Sequence, residues 1–443
     1  MKFSDLLSRF NLKFVLLTYV LISLIYTAAR FYNLTDALQT RTARRSVVEP
    51  SIMDSIHNQD TFFVAPISQN SIEKDEEDEL RKSLFRDYQL ALAESKATPD
   101  PVFQSKLFDG AMGPSDLKPF YLRATQQFPS EDITISTIVT SDRFPVLSRL
   151  ASRYKGPISA AIHINDDENK EQELRLLHQA FNDNPDMKRY VDVHLIVDPY
   201  DRQFNMWRNT AKLYARTEYI MMLDIDFYLC TNFRQNILQN PSIMSMLREG
   251  HTALVVPAFE YLDQLDGVEY STFPETKDEL MRQVFEEERI DMFHVSWQKG
   301  HSATNYMKWY TANQPYKVED YSFSYEPYVI FKKQGSPWCD ERFIGYGANK
   351  AACLYEIYLS GIDYYVLPDD FLIHQSHAYP ETTRKKERLF NRKVYSNFRE
   401  ELCLRYSRQL VANRQWDSPR SENLRNECQK IRGFNNILEN IDK

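Results

Sequence analysis

Glycine is scarce in this chain, 11 of 443 residues, and none of it falls into G-x-G-x-x-G or G-x-x-x-x-G-K-[ST]. A glycine-rich phosphate cradle of the dinucleotide-binding or P-loop kind is therefore not expected. Positive charge is also in deficit: 54 Lys and Arg against 62 Asp and Glu leave a formal charge of −8. That balance argues against a nucleic-acid partner, which ordinarily meets a basic face. A nucleotide stays compatible with it if a metal ion neutralises the phosphates. The cysteines, Cys230, Cys339, Cys353, Cys403 and Cys428, contain no C-x-x-C, so a zinc or dithiol redox motif has no support. Their odd number leaves at least one unpaired within the chain. Apolar material is plentiful: 43% of residues are hydrophobic and 13% aromatic, which excludes wholesale disorder and a disulfide scaffold.

The longest charge-free run is Phe14–Ala29, between Lys13 and Arg30. As a helix it rises roughly 24 Å, a little short of a hydrocarbon core of about 30 Å, a gap that snorkelling of the flanking Lys and Arg closes. The reading is a transmembrane signal anchor over 14–29, with 1–13 as a cytosolic tail and the remainder luminal. A cleaved signal peptide with Thr27-Ala28-Ala29 at its site, or a buried core helix, are the alternatives. Lys2, Arg9 and Lys13 precede the run and Arg30, Arg41, Arg44 and Arg45 follow it, so the positive-inside count does not orient it.

Residues 30–129 read as a luminal stem. Leu80, Leu84, Tyr88 and Ala91 predict a helix within Ser71–Lys96, and Pro101, Gly110, Gly113, Pro114 and Pro119 then break regular structure. From 130 to 443 the pattern is one α/β domain. Strands are expected at Ile133–Val139, Ile158–Ile164, Val191–Val197, Tyr219–Asp224 and Ala253–Pro257, with helices at Asn169–Asn182 and Phe204–Arg216 between them. The alternation implies a mainly parallel central sheet covered by helices, and such sheets bind ligands at the carboxyl ends of their strands.

One such end carries chemistry. Tyr219-Ile-Met-Met-Leu-Asp224-Ile-Asp226 is an apolar run closing in two aspartates one residue apart. Carboxylates held this close raise each other's pKa, and a hard divalent cation removes the penalty while bridging to phosphate oxygens. The same pattern also occurs as a cap, a turn, an ion pair, or the aspartyl nucleophile of a dehalogenase-type phosphatase. That last chemistry wants Thr or Val where this chain has Tyr228. Downstream, Tyr364–Ile373 runs into His374, a candidate imidazole ligand, with His377 the weaker alternative. Between them lies Cys339-Asp340-Glu341-Arg342-Phe343-Ile344-Gly345-Tyr346-Gly347. An acidic residue there can serve as general base on a sugar hydroxyl, or belong to a surface ion-pair cluster.

Five segments, LVVPAFE (254–260), KGHSATNYMKW (299–309), FSYEPYV (323–329), ERFIGYGANK (341–350) and YVLPDDFLIHQSHA (365–378), come in an order and spacing similar to glycosyltransferase family 49. Over roughly 132–379 the chain resembles the second catalytic domain of its LARGE-type xylosyl- and glucuronyltransferases. The resemblance implies a GT-A-type nucleotide-sugar-binding fold and Mn²⁺-dependent, inverting transfer from a UDP-sugar, with Mg²⁺ as the alternative cation. It implies Asp224, Asp226 and His374 as metal ligands. Asp340 is implied as the base, with Glu341 held open. Arg208, Asn209, Asp224 and Thr140 fall on the nucleotide-sugar side, and Trp297, Lys299, His301 and Asn305 in the donor-sugar or acceptor pocket; Trp297 and Trp309 read equally as core aromatics. Tyr346 and Ala348 stand where LARGE-type chains carry Phe and Trp, so glucuronate is one candidate donor only. The implied partners are a UDP-sugar, a glycan or glycoprotein acceptor, the membrane and a second copy of the chain. The implied location is the Golgi membrane as a single-pass type II protein. A non-catalytic, glycan-binding or scaffolding protein of the same fold is the alternative.

Overall fold

The computed structural model describes residues 116–434 apart from 201 and 378–383. The expected anchor over 14–29 and helix over 71–96 lie outside the described residues. No helix among the described residues is long and apolar enough to cross a membrane.

The strands are β1 (Asp116–Leu122), β2 (Ile133–Thr140), β3 (Ile158–Asn165), β4 (Val191–Asp198), β5 (Tyr219–Met222), β6 (Phe227–Leu229), β7 (Thr252–Val256), β8 (Ala258–Tyr261), β9 (Ile290–Met292), β10 (Tyr316–Lys317), β11 (Tyr328–Lys332), β12 (Asp363–Val366) and β13 (Leu372–His374). Nine form one sheet in the order β1-β4-β3-β2-β5-β11-β7-β12-β10, and β6-β13-β8-β9 form a second. The expected parallel block is β4-β3-β2-β5, and β7 and β12 also pair in parallel. β11 runs antiparallel between β5 and β7. β1 pairs antiparallel with β4, so the sheet extends into the segment read as stem.

The central strands read as unbroken apolar runs because both faces are covered. Along β5, Tyr219 and Met221 enter one core cluster while Ile220 and Met222 enter the other. β7 splits likewise, Leu254 and Val256 against Ala253 and Val255. Helix α1 (Phe144–Tyr154) begins with proline in its first turn and buries Phe144, Leu147, Leu150, Ala151 and Tyr154 on one stripe. Helix α2 (Phe204–Tyr214) lies over β2 and β3. Helix α3 (Asn349–Leu359) is buried along its whole length, and α4 (Arg384–Ala412) packs on it.

The cysteines resolve into Cys339–Cys353, Cys403–Cys428 and a buried free thiol at Cys230. The second disulfide staples α4 to the helix Glu422–Cys428. Closing a loop with a sequence separation of 25 contributes about 3 kcal/mol in the chain-entropy account. The Cys403→Ser/Cys428→Ser pair is accordingly expected to lose about that much stability, measured by chemical denaturation.

His194 pins β1 to the sheet. Its Nδ1 accepts the Phe120 N–H at 3.1 Å and its Nε2 lies 3.0 Å from Ser159 Oγ, which donates to Ala211 O at 2.6 Å. Burial pushes its pKa down to about 3, helped by the charge of Arg216. Below pH 6.5 the unfolded chain therefore takes up a proton that the folded chain refuses. This group subtracts about 1.4 kcal/mol of stability per pH unit as pH falls from 6.5 toward 3. Between pH 7 and 5 the wild type is expected to lose about 2 kcal/mol more than His194→Gln in denaturant titrations.

Candidate functional site

β5 stops at Met222, so Asp224 and Asp226 occupy the turn beyond its carboxyl end. The small sheet brings His374 to the same place: β13 pairs antiparallel with β6, with His374 opposite Phe227, the residue after Asp226. The Gln375 N–H then donates to Asp226 O at 2.8 Å. A histidine remote in sequence thus ends beside the aspartate pair.

Each carboxylate oxygen has a donor. Asp224 Oδ1 accepts from Arg208 Nη2 at 3.3 Å, and Oδ2 from Lys350 Nζ at 3.1 Å and Tyr328 OH at 3.2 Å. Asp226 Oδ1 accepts from Arg143 Nε at 2.7 Å, and Oδ2 lies 3.2 Å from His377 Nε2. Burial opposes ionisation of Asp224, but the cations of Lys350 and Arg208 outweigh it and hold the carboxyl well below the usual range. At Asp226 burial is likewise overcome, by the hydrogen bond and charge of His377 and by Arg143. Burial drives the His374 imidazole down to about 3 despite Asp226 nearby, so it is neutral at pH 7. Among the described residues no group of three or more His, Cys, Asp or Glu side chains is gathered into a metal cage. The donor types nevertheless suit a hard divalent cation: two ionised carboxylates in the turn that leads into β6 and a neutral imidazole at the end of β13, the strand paired with it.

An aromatic wall backs the pair. Phe227 lies 4.1 Å from Tyr328 and 5.1 Å from His374 between ring centroids, and Phe293 lies 4.8 Å from His374 and 5.0 Å from His301. Lys350, itself buried, sets its Nζ 3.3 Å from the Tyr328 ring centroid. Burial depresses this lysine's pKa, against the pull of Asp224 and Glu326.

Helix α2 turns a polar stripe inward. Asn205 donates to Asp340 O and Asn349 O, and Arg208 to Asn205 Oδ1 and Asn349 Oδ1. Lys212 donates to Ser336 O, Ser336 Oγ and Pro337 O. The Asn209 amide donates to Cys339 O at 2.8 Å and Glu341 Oε1 at 2.6 Å, and its Oδ1 accepts the Cys339 N–H at 2.9 Å. The segment 336–349 is therefore sewn to α2, and the Cys339–Cys353 disulfide sews it to α3. Asp340 receives the Arg342 backbone N–H at 2.9 Å and its guanidinium at 2.8–3.1 Å.

The remaining expected residues lie around this centre. Thr140 is exposed at the end of β2 and donates to Asp142, whose other oxygen meets Arg143, the partner of Asp226. His301 is buried and stacks on the Tyr328 ring at 6.4 Å. Trp297 is 45% exposed, which removes it from the core, whereas Trp309 is wholly buried. Lys299 is exposed, and Asn305 caps the helix Tyr306–Thr311 by accepting the Lys308 N–H. Gly345 and Gly347 have φ of 79° and 90°, which favour glycine, and at Gly347 a Cβ would come within 3.1 Å of the Arg388 backbone, so α4 approaches the loop closely there. Reading the sequence overlooked Arg143, Glu326, Tyr328 and Lys350 as site residues. The last three lie in segments quoted for the family resemblance, which was their only signal.

This arrangement, a doubly covered α/β sheet with paired carboxylates and a histidine at strand ends, belongs with the glycosyltransferases. Residues 132–203 and 198–407 match the model of a family described as a glycosyl-transferase for dystroglycan, and the chain belongs to that family, glycosyltransferase family 49. It is 31% identical over 294 residues to human xylosyl- and glucuronyltransferase LARGE1, covering 62% of this chain and 36% of that protein. It is 34% identical over 261 residues to xylosyl- and glucuronyltransferase LARGE2s of Danio rerio, covering 56% and 32%. The chain thus spans about a third of the length of the curated relatives it matches. A solved structure of GalNAc-T7 with UDP, GalNAc and Mn²⁺ matches with a TM-score of 0.36 at 11% identity, over 70% of this chain and 55% of that one.

Proposed function

We propose that the chain transfers a sugar, with inversion, from a UDP-sugar to a hydroxyl of a glycan or glycoprotein, on a GT-A-type fold. The observation that carries the reading is His374 set opposite Phe227, beside the Asp224–Asp226 pair at the end of β5. Asp224, Asp226 and His374 would hold Mn²⁺, or Mg²⁺ in its place. A cation there supplies neutralisation of the diphosphate as the glycosidic bond breaks. The chain's own part is to fix the carboxylates through Arg143, Arg208 and Lys350, to wall the site with Phe227, Phe293 and Tyr328, and to present the acceptor. Arg208 and Thr140 stand on the nucleotide side, and Trp297, Lys299, His301 and Asn305 line the sugar side.

Glucuronate is a donor candidate in keeping with the names of the relatives. Two disulfides suit an oxidising compartment, in keeping with a luminal domain behind a tail 1–13, an anchor 14–29 and a stem, on a type II protein of the Golgi membrane. The stem read as 30–129 gives way to the domain's sheet at β1, so the transferase domain starts by Asp116 rather than at 130. The test is a donor screen with purified chain, Mn²⁺, each UDP-sugar in turn and an oligosaccharide acceptor panel, reading UDP release. Turnover of one UDP-sugar that rises with an acceptor supports the proposal. Release of phosphate from phosphomonoesters instead, with no UDP-sugar consumed, refutes it.

A further inference from the structure

We infer that Glu326 is the general base of the transfer, the carboxylate that takes the proton of the attacking acceptor hydroxyl. The inference rests on the transferase reading above. Strand register places this residue. β11 runs antiparallel to β5 with Val329 opposite Met222, so the chain entering β11 passes alongside the turn that holds Asp224. Two residues on, Tyr328 bonds Asp224 through its hydroxyl and carries Lys350 on its ring.

Two further ties fix Glu326 from other sides. Its backbone N–H donates to Gly300 O at 2.8 Å, joining it to the segment of Trp297, Lys299, His301 and Asn305. Its carboxylate accepts the backbone N–H of Ala351 in the first turn of α3. Glu326 therefore stands between the aspartates, where the diphosphate leaves, and the segment assigned to the sugar pocket. As a residue it is half-buried, whereas Asp340 and Glu341 are buried.

The carboxylates favoured by the sequence are placed differently. Asp340 is 5% exposed, and its carboxylate oxygens are occupied by the Arg342 guanidinium and backbone N–H. Glu341 is 3% exposed and receives the Asn209 amide. Burial raises the Glu326 carboxyl above its ordinary value, with Asp224 adding to the rise and Lys350, Arg208 and the Ala351 N–H opposing it. A base poised nearer the working pH is the more effective one.

The step balances without a further reactant. The acceptor O–H proton passes to the Glu326 carboxylate, and the oxygen forms its bond to the anomeric carbon on the face opposite the diphosphate. The bond from that carbon to the phosphate oxygen breaks, and UDP leaves with the electron pair.

The experiment compares Glu326→Gln, Glu326→Asp and Asp340→Asn in the full chain, with the UDP-sugar found by the donor screen. Glu326→Gln is expected to lower kcat by about 10²–10⁴-fold, with donor KM and calorimetric binding of UDP with Mn²⁺ unchanged. Glu326→Asp, which keeps a carboxylate one methylene shorter, is expected to recover at least about tenfold of that loss. Asp340→Asn is expected to stay within about tenfold of wild type. Three results overturn the inference: Glu326→Gln turning over within about tenfold of wild type, Glu326→Asp being no faster than Gln, or UDP binding lost along with turnover, which marks a structural role. Full turnover by Asp226→Asn instead defeats the metal reading of the site, whatever Glu326 does.

Discussion

Asp226→Asn is expected to cut sugar transfer by about 10³-fold or more, read as acceptor-dependent UDP release in Mn²⁺. Asparagine keeps the shape of the side chain and can still accept from Arg143, which approaches Oδ1 at 2.7 Å. It loses the negative charge, leaving a neutral carbonyl oxygen that is a weaker ligand for a divalent cation. Asp226 follows the end of β5 with a side chain 23% exposed, so the fold should tolerate the change. The wild type is expected to gain thermal stability on adding Mn²⁺ with UDP, because a ligand bound only by the folded state shifts the unfolding equilibrium by mass action. Asp226→Asn should show little of that gain while keeping a metal-free melting temperature near that of the wild type. Near-normal turnover, or an undiminished Mn²⁺-induced shift, removes Asp226 from the ligand set.

The fold was legible where the chain is buried on both faces. The strands expected at Ile133–Val139 and Val191–Val197 appear as Ile133–Thr140 and Val191–Asp198, because short segments rich in Ile, Val and Thr favour the extended, packed backbone of a covered sheet. β11 escaped notice: five residues, Tyr328–Lys332, separated in sequence from β7, the nearer of the strands they pair with, by β8, β9, β10 and the helices between them. That omission explains most of what was missed in the site, since β11 carries Tyr328 and positions Glu326. Lys350 was illegible for another reason. A lysine in a run such as Gly347-Ala348-Asn349-Lys350 ordinarily projects into water, and only the packing of α3 makes it a buried partner of Asp224. In the stripe Asn205, Arg208, Asn209 and Lys212 only Arg208 and Asn209 were singled out, through the family resemblance, since a polar helix face carries no sequence sign that it is buried against the chain as this one is.

Asn209→Ala is expected to destabilise the domain by about 3 kcal/mol and to lower its melting temperature by roughly 4–5 °C. Alanine would leave three buried groups without their partner: the N–H and C=O of Cys339 and one oxygen of Glu341, now bonded at 2.9, 2.8 and 2.6 Å. Each such loss costs about 1–3 kcal/mol, and relaxation keeps the sum below the maximum. The same geometry bears on function. Both amide hydrogens of Asn209 are spent on the segment 339–341, so the side chain serves to hold that loop against α2. Donor KM, measured on the folded fraction, is therefore expected to stay within about twofold of wild type, since a residue that binds no substrate contributes nothing to substrate affinity. Asn209→Asp, which keeps an acceptor for the Cys339 N–H but sets a second carboxylate against Glu341, should be at least as unstable as alanine. A variant with an unchanged melting temperature and a donor KM raised about tenfold would return Asn209 to the nucleotide.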